Sequence, residues 1–359
     1  MIELDFDRLV EKLQNPPEMP RVVVMPDFFV DHFVLAREFE EFLTGLRQLA
    51  EQGGGNLMNT TQLIRRGGNS VNTASALLSL GADPCLIVTT DEHGASMLSG
   101  LVSPELDLSH VHTDGRLSAT VSIETKYRGR NVNLMVSDSG SAAGFEFSML
   151  NKNDLDAMRN SGLVALLCLN HNRYGASLAE DLFRMVRNET SATTYLDIGD
   201  PSDNLSILQP LVSRVLSEGL VDILGMNENE ACWLAWVLSG EDDQWREAMQ
   251  DSTKWLNAAK LVSKETGVRV DLHTPEFSAS IDDDELTVVP TFKVECRIMC
   301  GAGDAWNAGN IYGILAGLKT MDRLYLAGAV AALYVSSTTA THPTREDVIE
   351  FLSSTSAVP

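Results

Sequence analysis

The sequence predicts an α/β fold, with a mainly parallel central sheet covered by helices on both faces. Three observations carry that expectation. Short aliphatic runs recur along the chain, among them "RVVVM" (21–25), "PCLIVTT" (84–90), "LVALLCL" (163–169) and "TTYLDI" (193–198). Runs this apolar, without alternation, suit strands buried on both faces. Stretches with helical spacing separate them, and repeated strand–helix alternation builds a parallel sheet. Finally, 359 residues with 44% hydrophobic and 21% charged side chains match a globular chain able to bury a large core.

Taken in order, "RVVVM" is the first strand, and "PDFFVDHFV" (26–34) places Asp27 and Asp31 directly after it. The segment 35–55 carries helical spacing and ends at a glycine stop, and 67–82 reads as a turn followed by a small-residue helix closed at Gly81. "PCLIVTT" is a second buried strand and "DEHGASMLSGL" a helix. Residues 118–127 and 131–137 alternate like half-exposed antiparallel strands around Arg128-Gly129-Arg130, and with 57–65 they form a small appended sheet. Strand–helix alternation then resumes through 163–169, 193–198 and 220–226. Further strands are expected at 268–272 and 286–290, and the C-terminal stretch is mostly helical.

Asp and Glu total 50 against 27 Lys and Arg, and the net charge of −23 argues against nucleic-acid binding. Cys85, Cys168, Cys232, Cys296 and Cys300 are scattered without a C-x-x-C pair, which argues against a zinc ribbon or disulfide framework and for a reducing compartment. The acidic, amphipathic start "MIELDFDRLVEKL" lacks the pattern of a signal peptide. Runs such as "LAGAVAALYV" (326–335) are far short of a membrane span. A cytoplasmic location with no membrane partner is expected.

In open parallel sheets ligands bind beyond the carboxyl ends of the strands, and four motifs fall in strand-to-helix connections. Gly301-Ala302-Gly303-Asp304 opens a helix whose first amides suit an anion. A dinucleotide fingerprint there is disfavoured by Trp306, and no Gly-Lys dipeptide exists for a phosphate loop of the Walker type. Asp304 either caps that helix or does chemistry on the anion. "GGNSVN" (67–72) gives close backbone approach at Gly67 and Gly68, with Asn69 and Asn72 as donors, or simply caps a helix. Asp27 and Asp31 could each hold vicinal hydroxyls or remain solvated. In "NENE" (227–230), Asn227 and Glu230 share one helix face, suiting either a capping box or water-mediated Mg²⁺ beside phosphates. Arg65 and Arg66 precede the glycine turn, and Lys126, Arg128 and Arg130 cluster at the hairpin tip. These either grip a phosphate on the acceptor or form a solvated surface. Adjacent strand residues face opposite ways, so only one of Arg65 and Arg66 can line the cleft.

Together these residues resemble the ribokinase-like (PfkB-type) carbohydrate kinases over nearly the whole chain. The family order of strand-end aspartate, Gly-Gly-Asn, Asp-x-x-Gly, Asn-x-x-Glu and Gly-Ala-Gly-Asp stands here as Asp31, 67–69, 91–94, 227–230 and 301–304. "THPTREDVIEFL" (341–352) is similar to the family's C-terminal "P-T-R-E-x-V" helix start. The resemblance implies one ribokinase-like kinase domain over 1–359. Its fold would be a three-layer sandwich with a roughly nine-stranded, mainly parallel sheet. A small β-sheet lid would come from insertions at approximately 50–66 and 113–137, and a homodimer through that lid is allowed.

The implied activity is transfer of the terminal phosphoryl of ATP or ADP to a hydroxyl of a sugar or sugar derivative, with Mg²⁺. By the same resemblance Asp304 is the general base and Gly301, Ala302 and Gly303 form the anion hole. Asp31, Gly67, Gly68, Asn69 and Asn72 hold the acceptor, and Arg66 is added to them on its charge and its place beside the glycine turn. Asn227, Glu230 and Asn307 serve the nucleotide phosphates, Glu230 reaching the metal through water. Sugar-phosphate and nucleoside kinases share this framework. A non-catalytic sugar or nucleotide sensor is the rival from another class, and a nicotinamide-dependent oxidoreductase is a distant third.

Two departures matter. The family's Asp-Thr-Thr/Ser before Gly-Ala-Gly-Asp, part of a monovalent-cation site, is replaced by Ile298, Met299 and Cys300, so potassium activation of the usual kind is not expected. The nucleotide segment "Val-Thr-x-Gly-x-x-Gly" is replaced by "VDLHTPEFSA" (270–279). Its His273-Thr274 is similar to archaeal ADP-dependent sugar kinases and leaves ADP open as donor.

Overall fold

The computed structural model describes residues 6–58 and 60–355. Helix α1 (Asp7–Gln14) is followed by β1 (Val22–Met25), β2 (Phe29–Glu38), α2 (Phe39–Glu51), β3 (Thr61–Gly67) and α3 (Asn69–Ser79). Next come β4 (Pro84–Leu86), β5 (Val88–Thr89), α4 (Glu92–Leu101), β6 (Val111–His112), and the hairpin of β7 (Ala119–Tyr127) and β8 (Arg130–Asp138). Then follow α5 (Lys152–Arg159), β9 (Leu163–Leu167), α6 (Gly175–Glu189), β10 (Thr193–Asp197), the short α7 (Leu208–Leu211) and β11 (Ile223–Asn227). Helices α8 (Glu228–Leu238), α9 (Gln244–Glu247) and α10 (Ser252–Thr266) lead to β12 (Arg269–His273), β13 (Phe277–Asp282) and β14 (Glu285–Pro290). Helices α11 (Ala302–Leu315), α12 (Thr320–Ser336) and α13 (Arg345–Ser354) follow.

Among the described residues the main sheet has eight strands, in the order β14-β13-β12-β11-β10-β9-β1-β4, against the roughly nine implied by resemblance. From β4 to β12 all neighbours are parallel, and β13 and β14 add antiparallel to one edge. Successive strand residues enter opposite cores, as the pleat requires. Val23, Met25, Val164 and Leu166 pack with α6, α8 and α10, whereas Val22, Val24, Leu163 and Ala165 pack with α3, α11 and α12. This two-sided burial explains why the strands read as unbroken apolar runs.

A second, four-stranded sheet has the order β3-β2-β7-β8. Here the structure corrects the sequence reading, because Phe29–Glu38 is a ten-residue strand and the following helix begins only at Phe39. The helical spacing of 35–38 is overridden by cross-strand pairing, with Leu35 opposite Thr61 on one side and Glu124 on the other. "PCLIVTT" divides at Ile87, and its second half leaves the main sheet to pair with β6. Strand β13 was also unforeseen: its inward positions include Ser278 and Ser280, which hide the alternation. No helix among the described residues is long and apolar enough to cross a membrane.

Candidate active site

The Gly67-Gly68 turn joins β3 to α3, and two aspartates define it. Asp27 is 2% exposed and accepts hydrogen bonds from the amides of Asn69 and Ser70 (both 2.9 Å) and from Ser70 Oγ (2.6 Å). Both of its oxygens are thus used to hold the start of α3. Asp31, on β2, has no hydrogen-bonding protein donor among the described residues, and burial next to Asp27 pushes it up to about 6. Its carboxylate lies against the Gly67 Cα, where an added Cβ would stand 2.3 Å from it. At Gly68 φ is +91°, and a Cβ would stand 2.9 Å from the Asp27 carbonyl. The two glycines are therefore required by close approach and backbone conformation.

Helix α11 begins behind Gly301, the N-cap residue, at φ +88°. Asp304 sits in its first turn, 6% exposed, and accepts from Asn72 Nδ2 at 2.9 Å. It caps no amide of its own helix, so the capping alternative falls away. Burial first, and then Asp27, Asp197 and Asp31, hold its carboxyl well above the ordinary range, with Asn72 opposing. The expected anion hole needs one correction. The Ala302 amide is already donated to the Met299 carbonyl (3.2 Å), which leaves Gly303 and Asp304 as the free first-turn amides. Trp306 is buried, donates to Ser278 Oγ (3.0 Å) and stacks on His273 (4.8 Å between centroids), filling the space a dinucleotide turn would need.

Asn227 and Glu230 form the capping box of α8. Asn227 Oδ1 accepts from the Glu230 amide (2.9 Å), while the Glu230 carboxylate accepts from the Asn227 amide (2.9 Å) and Nδ2 (2.8 Å). Burial and the nearby Asp197 hold Glu230 well above the usual carboxylate range. Asp197, at the carboxyl end of β10, accepts from the Gly199 amide (2.9 Å) and from Asn307 Nδ2 (2.6 Å). It was missed in the sequence, where its signal was the terminal Asp of "TTYLD". Asn307 is fully buried, with its Oδ1 occupied by Tyr195 Oη at 2.7 Å. Both polar atoms of the Asn307 side chain are thus engaged by protein partners, Tyr195 and Asp197.

Three rings complete the surroundings. His273 ends β12, with a ring nitrogen 3.2 Å from where a Cβ on Gly303 would stand, and burial lowers it to about 4. It is neutral at pH 7. Thr274 shapes the following hairpin, since its hydroxyl donates to Phe277 O (2.8 Å) and accepts from the Phe277 amide (3.0 Å). Tyr334 donates to the Cys300 carbonyl (3.0 Å) and stacks on His342 (4.8 Å).

The five basic residues do not share one place, although Arg65 and Arg66 both act on Tyr334. Arg65 donates to the Thr339 carbonyl at 2.6 Å, whereas Arg66, on the opposite strand face, lies in the field of Tyr334 and Asp304. Lys126 pairs in register with Glu38, seven residues along β2 from Asp31, a separation of about 23 Å. The hairpin tip with Lys126, Arg128 and Arg130 is thus remote from the glycine turn.

Asp31, Gly67, Asn72, Asp304, Asp197 and Glu230 therefore gather beyond the carboxyl ends of the central strands. The structure is similar to Arabidopsis thaliana ribokinase complexed with ribose and ATP, at TM-score 0.71 and 19% identity, over 93% of this chain and 99% of that one. It is also similar to Thermotoga maritima ribokinase (0.69, 16% identity, 94% and 100% covered) and to Methanocaldococcus jannaschii nucleoside kinase (0.65, 14%, 94% and 99%). At such identities the likeness shows the fold. A comparison with curated proteins finds no match. The profile described as pfkB family carbohydrate kinase matches residues 45–347, most of the chain, and the protein belongs to that family.

Proposed function

We propose that the protein transfers the terminal phosphoryl of ATP or ADP to a hydroxyl of a sugar or sugar-derived acceptor in the cytoplasm. The observation that carries this reading is the Asp304 carboxylate. It is buried, held by Asn72, free of any capping duty and adjacent to the unbonded amides of the α11 turn. Asp31 is the second free carboxylate and suits the acceptor's hydroxyls. With Gly67, Gly68, Asn69 and Asn72 it forms the acceptor side.

The chemistry asks mainly for position and charge stabilisation. Holding acceptor and donor in line contributes about 7–11 kcal/mol, and proton removal by Asp304 about 10²–10⁴-fold. The Gly303 and Asp304 amides stabilise charge on the transferred group. The second sheet, whose β2 carries Asp31, acts as a lid that keeps water from the reacting groups.

Mg²⁺ fits these residues. Asp197 raises the pKa of both Glu230 and Asp304, and a divalent cation beside it offsets that repulsion. Asp197 and Glu230 already hold protein donors, so they suit contact through metal-bound water. When bound, the ion neutralises phosphate charge.

The direct test is a matrix of ATP and ADP against sugars, sugar phosphates, nucleosides and polyols. Binding of nucleotide and sugar without turnover in any pair would leave the sensor in place of the enzyme. Asp31→Ala is expected to raise the acceptor KM at least ~10-fold with little change in nucleotide KM, because a charged hydrogen bond is lost on one side only. In the wild type, acceptor affinity should also weaken as pH falls below about 6, where Asp31 takes up its proton. Equal effects on both substrates contradict the assignment.

Activity should change little when sodium or a bulky organic cation replaces potassium. Ile298 is packed against the core, the Cys300 carbonyl is taken by Tyr334, and the Arg65 guanidinium already sits on the Thr339 carbonyl. Many-fold potassium activation would show a cation site built from other oxygens.

A further inference from the structure

Arg66 and His342 are the unexplained polar groups of the acceptor side. Arg66 Nε and both ring nitrogens of His342 are buried without a hydrogen-bond partner. His342 is 5% exposed and lies flat on Tyr334, whose hydroxyl reaches the Cys300 carbonyl just before the anion turn. A Cβ on Gly301 would fall 2.5 Å from Tyr334 Oη, so this stack touches the turn itself. Arg66 immediately precedes Gly67, against which Asp31 rests.

Arg66 is half-buried with its Nε enclosed, and a partly desolvated guanidinium favours an anion beside it. The chain has 50 carboxylates, yet none forms a salt bridge with Arg66 among the described residues. Arg345 Nε is likewise enclosed, but its guanidinium has Glu346 beside it, whereas Arg66 has no carboxylate in ion-pair contact among the described residues. A purely structural histidine would not leave both ring nitrogens unsatisfied.

We propose that Arg66 and His342 form an oxyanion subsite for the acceptor, which is therefore a sugar phosphate rather than a neutral sugar. The proposal rests on the kinase reading above and narrows its acceptor. The guanidinium fork suits two phosphate oxygens, and a neutral imidazole donates one further hydrogen bond. Burial and Arg66 lower His342 to about 3, so the ring enters the complex neutral.

The experiment compares a pentose, its 1- and 5-phosphates and a sugar acid, by turnover and by ligand-induced thermal stabilisation without nucleotide. It uses the wild type, Arg66→Met and His342→Asn. A sugar phosphate should be preferred by the wild type. Arg66→Met should cut kcat/KM for it about 10–100-fold more than for the neutral pentose, with loss of its thermal stabilisation. Because Arg66→Met removes a half-buried charge that has no ion-pair partner among the described residues, its ligand-free melting temperature should hold or rise, which excludes misfolding as the cause. A wild type that prefers neutral pentose, or an Arg66→Met variant with unchanged selectivity, overturns the subsite and leaves the kinase reading intact. A sugar acid preferred over both phosphates overturns the phosphate assignment. Phosphate-dependent stabilisation lost in Arg66→Met, but no turnover with any acceptor, supports the subsite and sinks the kinase reading.

Discussion

Asp304→Asn is expected to lower kcat by at least ~10²-fold while both KM values change little. The substitution keeps shape and removes only the ability to take a proton. Asp304 holds no backbone amide of α11, so no cap is lost. The amide oxygen of the introduced side chain can still accept from Asn72 Nδ2, which now stands at 2.9 Å. Electrostatics point the same way. Asp304 shares its surroundings with Asp27, Asp197 and Asp31, and all three disfavour its ionised form. Removing one carboxylate relieves that repulsion, so the melting temperature should be unchanged or higher. Loss of turnover with an intact or raised transition then isolates the proton-transfer role. Turnover near the wild-type value would remove Asp304 from the mechanism and leave positioning alone to account for any activity.

How much of this site was legible in the sequence depends on what fixed each residue's surroundings. Strands such as Leu163–Leu167 were legible because burial on both faces leaves an unbroken aliphatic run. Gly67, Gly68 and Gly301 were legible because close approach and positive φ select glycine whatever else is nearby. The start of α2 was not, because Phe29–Glu38 owes its extended form to partners at 61–67 and 119–126, distant in sequence. Asp27 and Asp31 look alike in sequence, yet the Asn69 and Ser70 amides consume one and leave the other free. Asn307 sits one turn beyond the catalytic candidate and looked reachable, but Tyr195 and Asp197 close over it from another strand. Arg65 and Arg66 leave adjacent positions of β3, yet both act on Tyr334. Which one stays unpaired was decided by Thr339, from a loop 274 residues away.

Arg323→Leu is expected to destabilise the fold by about 3–5 kcal/mol, the usual cost of removing one partner from a buried ion pair. Arg323 is 2% exposed on α12 and grips Asp271 of β12 with both terminal nitrogens, at 2.7 and 3.1 Å. It also donates to Ser280 Oγ (3.2 Å) and to Asn310 Oδ1. Without it, the fully buried Asp271 keeps Arg269, Ser280 and Asn310 but loses its nearest charge. Arg323 and Arg269 outweigh burial and hold Asp271 well below the ordinary carboxylate range. A depressed folded-state pKa contributes stability above the unfolded value and loses it as pH falls toward the folded one. The wild type should therefore weaken below about pH 4, and Arg323→Leu should show a shallower acid dependence. Replacing Asp271 by Leu as well should recover only part of the loss, since it removes the orphaned carboxylate but leaves Arg269 without its partner. The network also continues toward chemistry. Asn310 reaches Tyr195 Oη (3.4 Å), Tyr195 donates to Asn307 (2.7 Å), and Asn307 holds Asp197 (2.6 Å). A fall in kcat below the unfolding transition would show that Asp197 depends on this chain of hydrogen bonds. A denaturant midpoint that moves by less than the equivalent of ~1 kcal/mol would show that Arg269 alone suffices for Asp271.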